Sequence, residues 1–232
     1  MTLLSMIRDV CAEVGLPRPT AVIAATDPTM RALLSHAQEE GATLARLGPW
    51  QKLRKEKTFT SLAAETQTAM VATDLARFVD HTFWNRTRRR PFIGPLSPQD
   101  WQRMKATTAL ANTDMFTYRG GDILMSPTPT AGHTFAYEYV STQWCESSGG
   151  TDQSVWTADT DVGLLDERLM KLGVIWRFKK QRGLAFDADY SLWNFAVHNA
   201  LGQEAPHGLI DMSGAAGPLR PGIVAQEGDW LS

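Results

Sequence analysis

Hydrophobic residues in the first part of the chain recur every three or four positions, in two separate runs. The first run contains Leu3, Leu4, Ile7, Val10, Cys11 and Val14, and the second contains Met30, Leu33, Leu34, Ala37, Gly41, Leu44 and Leu47. This spacing predicts two amphipathic α-helices. Gly15 and Pro17 end the first helix, while Asp27 and Pro28 begin the second, which continues to Gly48.

Between residues 51 and 150 the helical spacing gives way to the alternation that is typical of strands. Residues 55–60 form a strand candidate, and residues 118–125 surround a Gly120-Gly121 turn that predicts a hairpin. Aromatic residues at 135, 137 and 139 alternate with other side chains, as strand residues do. One short helix is predicted, with Ser97 as its cap and Pro98 as its first residue.

Helical spacing returns after a glycine- and serine-rich stretch at residues 147–150. Asp161 is predicted to cap a helix whose apolar positions are Leu164, Leu165, Leu169, Leu172, Ile175, Trp176 and Phe178. Another helix is predicted from about Asp187 to Leu201, and a tail rich in proline and glycine follows Gly202. Such a tail cannot form a stable helix or strand by itself.

These elements together predict an α+β protein. We expect a helical bundle of two N-terminal and two C-terminal helices, an inserted antiparallel β-rich domain and an extended C-terminal tail. The predicted boundaries place the bundle at residues 1–50 and 151–203, the insertion at 51–150 and the tail at 204–232. No internal repeat accompanies this pattern.

The composition indicates a globular protein without a general attraction to polyanions. The 232 residues are 43% hydrophobic, which is enough for a substantial core. A formal net charge of −2 gives no overall attraction to nucleic acid or to an anionic membrane. No apolar stretch approaches the roughly 20 residues of a membrane helix, and the first residues lack a signal-peptide core. We therefore expect a soluble protein in a reducing compartment, with Cys11 and Cys145 unpaired.

Residue types that carry chemistry are present, but their spacing matches no catalytic or metal-binding motif. The set closest to a metal site is Asp159, Asp161, Asp166 and Glu167, which lacks the glycine and glutamate spacing of a calcium loop. The five histidines form no zinc-binding pair, and no nucleophile elbow or phosphate-binding loop occurs. We therefore predict no enzymatic activity, no cofactor and no metal.

The most distinctive segment lies between Trp84 and Phe92, where arginines dominate. It contains Arg86, Arg88, Arg89 and Arg90. Arginine pairs with carboxylates and phosphates and stacks on aromatic rings, so the segment is a candidate binding surface. Three interpretations stay open: an acidic protein partner, DNA phosphate, or a solvated strand edge whose cations prevent aggregation. If the segment is extended, Arg88 and Arg90 share one face and Arg89 lies on the other.

Short motifs also follow one another along nearly the whole chain. They are GLPRP (15–19), GPWQKL (48–53), FWNR (83–86), GPLS (94–97), LMSPTP (124–129), YEYVS (137–141), WTADTD (156–161) and LGVIWR (172–177). In this order, with helices enclosing a β-rich insertion, the motifs resemble those of the head-to-tail adaptor, or neck, proteins of tailed bacteriophages. Within them, the chain is similar to the group related to tail tubular protein A of short-tailed phages.

The resemblance implies a structural protein of the virion, made in the host cytoplasm and located in the neck. It implies a ring, of twelve copies of this chain, that binds the portal protein on one side and the tail tube or nozzle protein on the other. Genomic DNA passes through such a ring without specific binding, and no membrane is involved.

The predicted tail has the composition to wrap a partner, because its apolar residues have no core of their own. These candidate partner-binding residues are Leu209, Ile210, Leu219, Ile223, Trp230 and Leu231. Two alternatives remain beside the adaptor. One is a DNA-binding virion protein that uses residues 86–90, and the other is a phage hydrolase, for which the sequence shows no acid and base pair at a recognisable spacing.

Overall fold

Five α-helices and antiparallel β-sheets make up the part of the chain that the computed structural model describes, residues 1–106 and 113–204. The predicted α+β class is therefore confirmed. The chain divides into two units: a helical unit of Met1–Arg54 with the described residues from Ser141 onwards, and a β unit of Lys55–Val140. The tail predicted at residues 204–232 lies outside the described residues, apart from Glu204 at the end of the last helix.

The elements follow in chain order. The helices are α1 (Leu3–Glu13), α2 (Pro28–Leu47), α3 (Pro98–Ala106), α4 (Glu167–Gln181) and α5 (Asp187–Glu204), and a 3-10 helix covers Gln51–Leu53. The strands are β1 (Arg54–Thr60), β2 (Thr66–Gln67), β3 (Leu75–Phe78), β4 (Trp84–Asn85), β5 (Arg90–Pro91), β6 (Met115–Arg119), β7 (Asp122–Ser126), β8 (Thr134–Ser141), β9 (Cys145–Glu146), β10 (Asp152–Gln153) and β11 (Val162–Gly163).

Local signals in the sequence set the start of three helices. Thr2 caps α1 by accepting a hydrogen bond from the backbone N–H of Ser5 at 3.3 Å, and Asp27 caps α2 by accepting one from Met30 at 3.2 Å. In the β unit, the Ser97 hydroxyl accepts from the backbone N–H of Asp100 at 3.1 Å at the start of α3. Each helix therefore begins where the capping residue satisfies a backbone donor.

The predicted start of α4 is wrong, because a second aspartate takes the capping role. Asp166 caps this helix and accepts from the backbone N–H groups of Arg168 and Leu169 at 2.8 and 3.2 Å. Asp161 lies before the helix, buried, and accepts from the backbone N–H groups of Thr157 and Ala158 at 2.7 and 2.8 Å. Spacing alone did not distinguish the two aspartates.

In the helical unit, α4 packs against α1, α2 and α5. Two glycines allow close contacts. A Cβ atom on Gly41 of α2 would meet the ring of buried Trp144, and one on Gly173 of α4 would meet the carboxyl group of Glu40 in α2. Residues 147–150 form the turn that joins β9 to β10, and β9 also pairs with β11.

The β unit contains two antiparallel sheets. One has the order β1-β8-β4-β5, with β3 also paired to β8, and the other has the order β2-β7-β6. The predicted hairpin at Gly120-Gly121 is present between β6 and β7. An aromatic core fills the unit, and its members include Phe59, Phe83, Phe92, Phe116, Phe135, Tyr137 and Tyr139. Alternation along β8 places Phe135, Tyr137 and Tyr139 in this core.

Candidate functional site: an arginine hairpin beside an open cleft

The arginine-rich segment forms a tight hairpin. Trp84 lies opposite Pro91 and Asn85 lies opposite Arg90 in the antiparallel pair β4 and β5, and residues 86–89 form the turn. The arrangement that we expected for an extended segment, with Arg88 and Arg90 on one strand face, is therefore wrong. We call residues 84–91 the arginine hairpin.

Asn85 explains why the chain turns here. Its side-chain oxygen accepts a hydrogen bond from the backbone N–H of Arg88 at 3.0 Å, which closes the turn in the way that asparagine favours. Asn85 is buried, whereas the arginines are exposed. The fold thus fixes the base of the hairpin and leaves its cationic side chains in solvent.

The turn is also attached to the start of β8. The backbone N–H of Arg86 donates to the carbonyl of Thr134 at 2.8 Å, and the N–H of Thr134 donates to the Thr87 hydroxyl at 2.9 Å. These two contacts hold the backbone of the turn against a long strand of the central sheet. The arginines are therefore displayed from a fixed frame.

Only one of the four arginines has a carboxylate partner among the described residues. Arg86 Nη2 lies 2.8 Å from Glu56 Oε2, with both side chains about half exposed. The hydrogen bond from Arg86, together with one from the Thr58 hydroxyl, holds the pKa of Glu56 below its ordinary value. Exposed pairs of this kind contribute only about 0–1 kcal/mol to stability.

The remaining arginines of the hairpin, Arg88, Arg89 and Arg90, form no ion pair within the described ranges. Asp114 lies close enough to two of these arginines for their charges to affect its pKa. Burial raises the pKa of Asp114, while the charges of Arg90 and Arg88 act in the opposite direction. The hairpin tip therefore carries positive charge that the surrounding β unit does not neutralise.

A cleft with a volume of about 460 Å³ opens beside the hairpin, within the β unit. We call it the Trp84 cleft, and its lining includes Glu56, His81, Trp84, Arg89, Ala136 and Glu138. Trp84 lies directly opposite Ala136 in the pairing of β4 with β8, so their side chains share one face of the sheet. Glu138 follows Ala136 by two residues and lies on the same face. The cleft is thus the face of this sheet that points away from the aromatic core.

Two residues that line the cleft adopt a left-handed backbone conformation. Arg89 has a φ of 55° and His81 a φ of 61°, and Ala69 is the other non-glycine residue with positive φ in the described chain. Among residues other than glycine this conformation is uncommon, although asparagine, aspartate and histidine adopt it more often than the rest, so Arg89 is the more unusual of the two. Backbone strain of this kind persists where the surrounding structure enforces it, often at functional sites.

The aspartates considered as metal ligands bind backbone groups instead. Asp159 Oδ1 accepts from the N–H groups of Val22 and Ile23 at 3.1 and 2.8 Å, Asp161 accepts from Thr157 and Ala158, and Asp166 caps α4. Within residues 1–106 and 113–204, no group of three or more histidines, cysteines or acidic residues is placed to hold a metal ion. None of the helices in these ranges is long and apolar enough to cross a membrane.

The remaining candidate site residues fall in the predicted tail. Leu209, Ile210, Leu219, Ile223, Trp230 and Leu231 lie outside the described residues. Their assignment as partner-binding residues stays a prediction.

Two features of the site were missed by sequence reasoning. His81 and Glu138 enter the cleft only because β4 pairs with β8, although the alternation along β8 already separated Ala136 and Glu138 from the core face. No sequence pattern predicted that His81 lines the cleft, because its neighbours in the sequence do not indicate its backbone conformation.

A buried ion pair in the helical unit was also missed. Glu40 is fully buried, with Oε2 2.9 Å from Arg177 Nε and Oε1 accepting from Trp193 Nε1 at 2.7 Å. Burial raises the pKa of Glu40, and the hydrogen bond and charge of Arg177 oppose that effect. Glu40 follows Leu33 and Ala37 on the apolar face of α2, and this position could have predicted that its carboxyl group is buried. This contact holds α2, α4 and α5 together.

Comparison with known proteins assigns the family. A family model described as SU10 adaptor protein matches residues 1–222, which include all of the described residues of both units. No protein in a search of curated proteins matches the chain. The match agrees with an adaptor and does not address the narrower group related to tail tubular protein A, which stays a prediction. Since the model covers nearly the whole sequence, this chain belongs to the SU10 adaptor protein family.

Proposed function

We propose that the chain is a structural protein of the phage virion, a head-to-tail adaptor that forms a ring between the portal protein and the tail tube or nozzle protein. Membership of an adaptor family over residues 1–222 is the observation that carries this proposal. The ring has twelve copies, as the resemblance of the motifs implies, and continues the channel through which DNA leaves the capsid. The protein is made in the host cytoplasm and is then located in the neck of the particle.

The chemistry of the described residues supports a structural role. The carboxylates at 159, 161 and 166 cap or anchor backbone, and Glu40 binds Arg177 and Trp193 inside the helical unit. These acidic groups serve the fold and bind no substrate in this arrangement. The protein acts by holding partners together, without catalysis or a cofactor.

The arginine hairpin is the proposed docking surface for a neighbouring protein. Arg88, Arg89 and Arg90 are exposed on a turn that Asn85 and Thr134 hold in place, and no described carboxylate neutralises them. A partner with acidic residues at its surface would supply the missing charge, and such complementarity favours rapid and specific association.

A DNA-binding virion protein is the second candidate, and the unpaired arginines at 88–90 are the observation in its favour. Phosphate contacts would make its affinity for duplex DNA fall steeply as salt rises. Against it, the formal net charge of −2 gives the chain no general attraction to DNA. We therefore propose that genomic DNA passes through the channel without specific binding.

Electron microscopy of the purified chain with and without its portal protein tests the adaptor proposal. We expect ring-shaped density added to one end of the portal in the mixture. The portal alone and a mixture with an unrelated globular protein of similar size provide the controls. A portal with no added density at any protein concentration would contradict the adaptor function.

A further inference from the structure

The Trp84 cleft combines an apolar wall with separated charges of both signs. Trp84 is half buried and lies opposite Ala136, which is only 3% exposed, so the accessible apolar surface of the cleft comes mainly from Trp84. A volume of about 460 Å³ lies within the range of about 300–1,000 Å³ that is typical of ligand pockets. The cleft is therefore large enough to receive one or two side chains of a partner.

Some charged side chains that line the cleft have a partner of opposite charge, and others have none among the described residues. Glu56 already pairs with Arg86 at 2.8 Å, so these two residues neutralise each other. Arg89 and Glu138 form no hydrogen bond or ion pair through their side chains within the described part of the chain. An occupant that supplies an anion to Arg89 and a hydrogen-bond donor to Glu138 would satisfy both.

A peptide meets these requirements better than a nucleic acid does. An acidic side chain pairs with the guanidinium of Arg89, and backbone N–H groups of the same segment donate to Glu138. A phosphate backbone carries no hydrogen-bond donor for Glu138, so it could satisfy Arg89 alone. The charge pattern thus selects for a polypeptide with a carboxylate.

The backbone at Arg89 gives an independent reason to assign a role to its side chain. A φ of 55° at Arg89 is a conformation that glycine or asparagine adopts with less strain than arginine does. His81, with a φ of 61°, lines the same cleft. Arg89 therefore occupies the last position of the turn, where glycine would be less strained, and its side chain lines the cleft.

We propose that the Trp84 cleft is a docking site for an acidic peptide segment of another virion protein. An apolar side chain of that segment packs against Trp84, its carboxylate pairs with Arg89, and its backbone donates to Glu138. This inference rests on the proposed adaptor function, which supplies the neighbouring protein. It assigns the partner contact to one pocket of the β unit.

The test uses a synthetic pentapeptide with a central tryptophan between two acidic residues, and the full chain with isotope-labelled tryptophan. Nuclear magnetic resonance follows the indole signals, and a Trp84→Phe variant identifies the signal of Trp84. We expect saturable shifts of that signal with the acidic peptide and none with a control peptide in which the acidic residues are replaced by their amides. A short DNA duplex should leave it unchanged.

Arg89→Gly provides the sharpest variant, because glycine adopts the same backbone conformation without strain. The variant should fold with unchanged or greater stability, measured by urea denaturation, and bind the acidic peptide at least about tenfold more weakly, a loss of roughly 1.4 kcal/mol. Arg119→Ala, which removes an exposed arginine at the other hairpin of the β unit, should bind as the original chain does.

Three results would overturn the proposal: equal binding of the amide control peptide, undiminished binding by Arg89→Gly, or shifts with the DNA duplex alone. Ring formation on the portal is measured separately by electron microscopy. If a ring forms but the peptide fails to bind, the assignment of the cleft as a docking site is wrong and the adaptor function stands. If the peptide binds but no ring forms, the cleft binds acidic peptides and the adaptor function is contradicted.

Discussion

Gly173 shows how one missing methyl group sets the distance between two helices. It faces the carboxyl group of Glu40, so α4 can approach α2 closely enough for Arg177, one turn further along α4, to pair with Glu40 at 2.9 Å. The glycine, the carboxylate and the guanidinium thus form one arrangement. A larger residue at 173 would disturb both the packing and the buried ion pair.

Gly173→Ala should therefore destabilise the helical unit, although alanine has the higher helix propensity. The added Cβ would displace the Glu40 carboxyl group, and such overpacking costs about 1–3 kcal/mol. The free energy of unfolding from urea denaturation measures the effect. Gly202→Ala in α5 is the matched control, since nothing lies within 4 Å of its added Cβ and it should be neutral or slightly stabilising. Equal effects of the two substitutions would contradict this explanation.

The buried Glu40 also predicts a pH dependence of stability. Its pKa is raised above the ordinary value of 4.5 mainly by burial, so the folded state binds its proton more tightly than the unfolded state does. The Glu40 contribution is then most favourable below pH 4.5 and is lost as pH rises through the folded pKa.

Glu40→Gln should remove this contribution. The free energy of unfolding of the original chain minus that of Glu40→Gln is expected to fall as pH rises from below 4.5. Glu39→Gln, which changes an exposed partner of Arg177, is the control and should show no such fall. A difference that instead grows with pH would show that the pairing with Arg177 outweighs burial.

At the scale of elements, the arginine hairpin separates a structural base from a solvent-exposed tip. Asn85, Thr87 and Thr134 make the contacts that define the turn, and none of these contacts uses an arginine side chain. The tip can therefore change its charge without a change in the fold. This separation permits a direct test of the docking surface.

The double substitution Arg88→Glu and Arg90→Glu should block assembly with little effect on the melting temperature. Two positive charges become negative at an exposed turn, and an acidic partner would then be repelled. Co-sedimentation with the partner proteins measures assembly, and circular dichroism measures melting. Unchanged assembly would show that these residues form only a solvated edge. A large fall in the melting temperature would show that they stabilise the fold through Asp114.

At the scale of the whole molecule, the helical unit ends in a contact of its own. Glu204, the last residue of α5, accepts a hydrogen bond from the backbone N–H of Gln51 at 2.7 Å. A truncation after Glu204 therefore leaves the described contacts of the helical unit in place. The sequence had suggested a slightly earlier limit, after Gly202.

Removal of residues 205–232 should leave the fold intact and abolish stable attachment to the portal. If the apolar residues of this segment dock on a partner, each buried anchor contributes about 1.5–3 kcal/mol before ordering costs. Their loss should appear mainly as faster dissociation. Circular dichroism and co-sedimentation with the portal measure the two outcomes. Undiminished co-sedimentation would show that the helical unit or the β unit, and not residues 205–232, binds the portal.

Limited proteolysis gives a complementary measurement on the unmodified chain. We expect cleavage to begin beyond Glu204 in the free protein, because the composition of residues 205–232, rich in proline and glycine, predicts a segment that needs a partner to fold. Cleavage should be suppressed in the assembled particle. Equal resistance in the two states would contradict a role of this segment in attachment.

Local chemistry in the sequence determined the elements whose stabilising contacts lie within a few residues. The apolar spacing predicted α1 and α2, Asp27 and Pro28 predicted the start of α2, and Gly120-Gly121 predicted the β6–β7 hairpin. Side-chain alternation around Tyr137 predicted the strand β8. These predictions succeeded because the hydrogen bonds and the periodicity that decide them are local.

Only the tertiary structure decided that Asp161 is buried before α4, that the turn at residues 86–89 is held against β8, and that Arg89 and His81 meet in one cleft. Each outcome depends on residues distant in sequence: Asp161 is buried near the N-terminal strand contact of Thr2 with Val162, and β4 pairs with β8 some fifty residues later in the chain. The same holds for Glu40, whose partners Arg177 and Trp193 lie on other helices. A sequence specifies such contacts only through the complete fold, because their energies depend on burial and on distances that no local pattern contains.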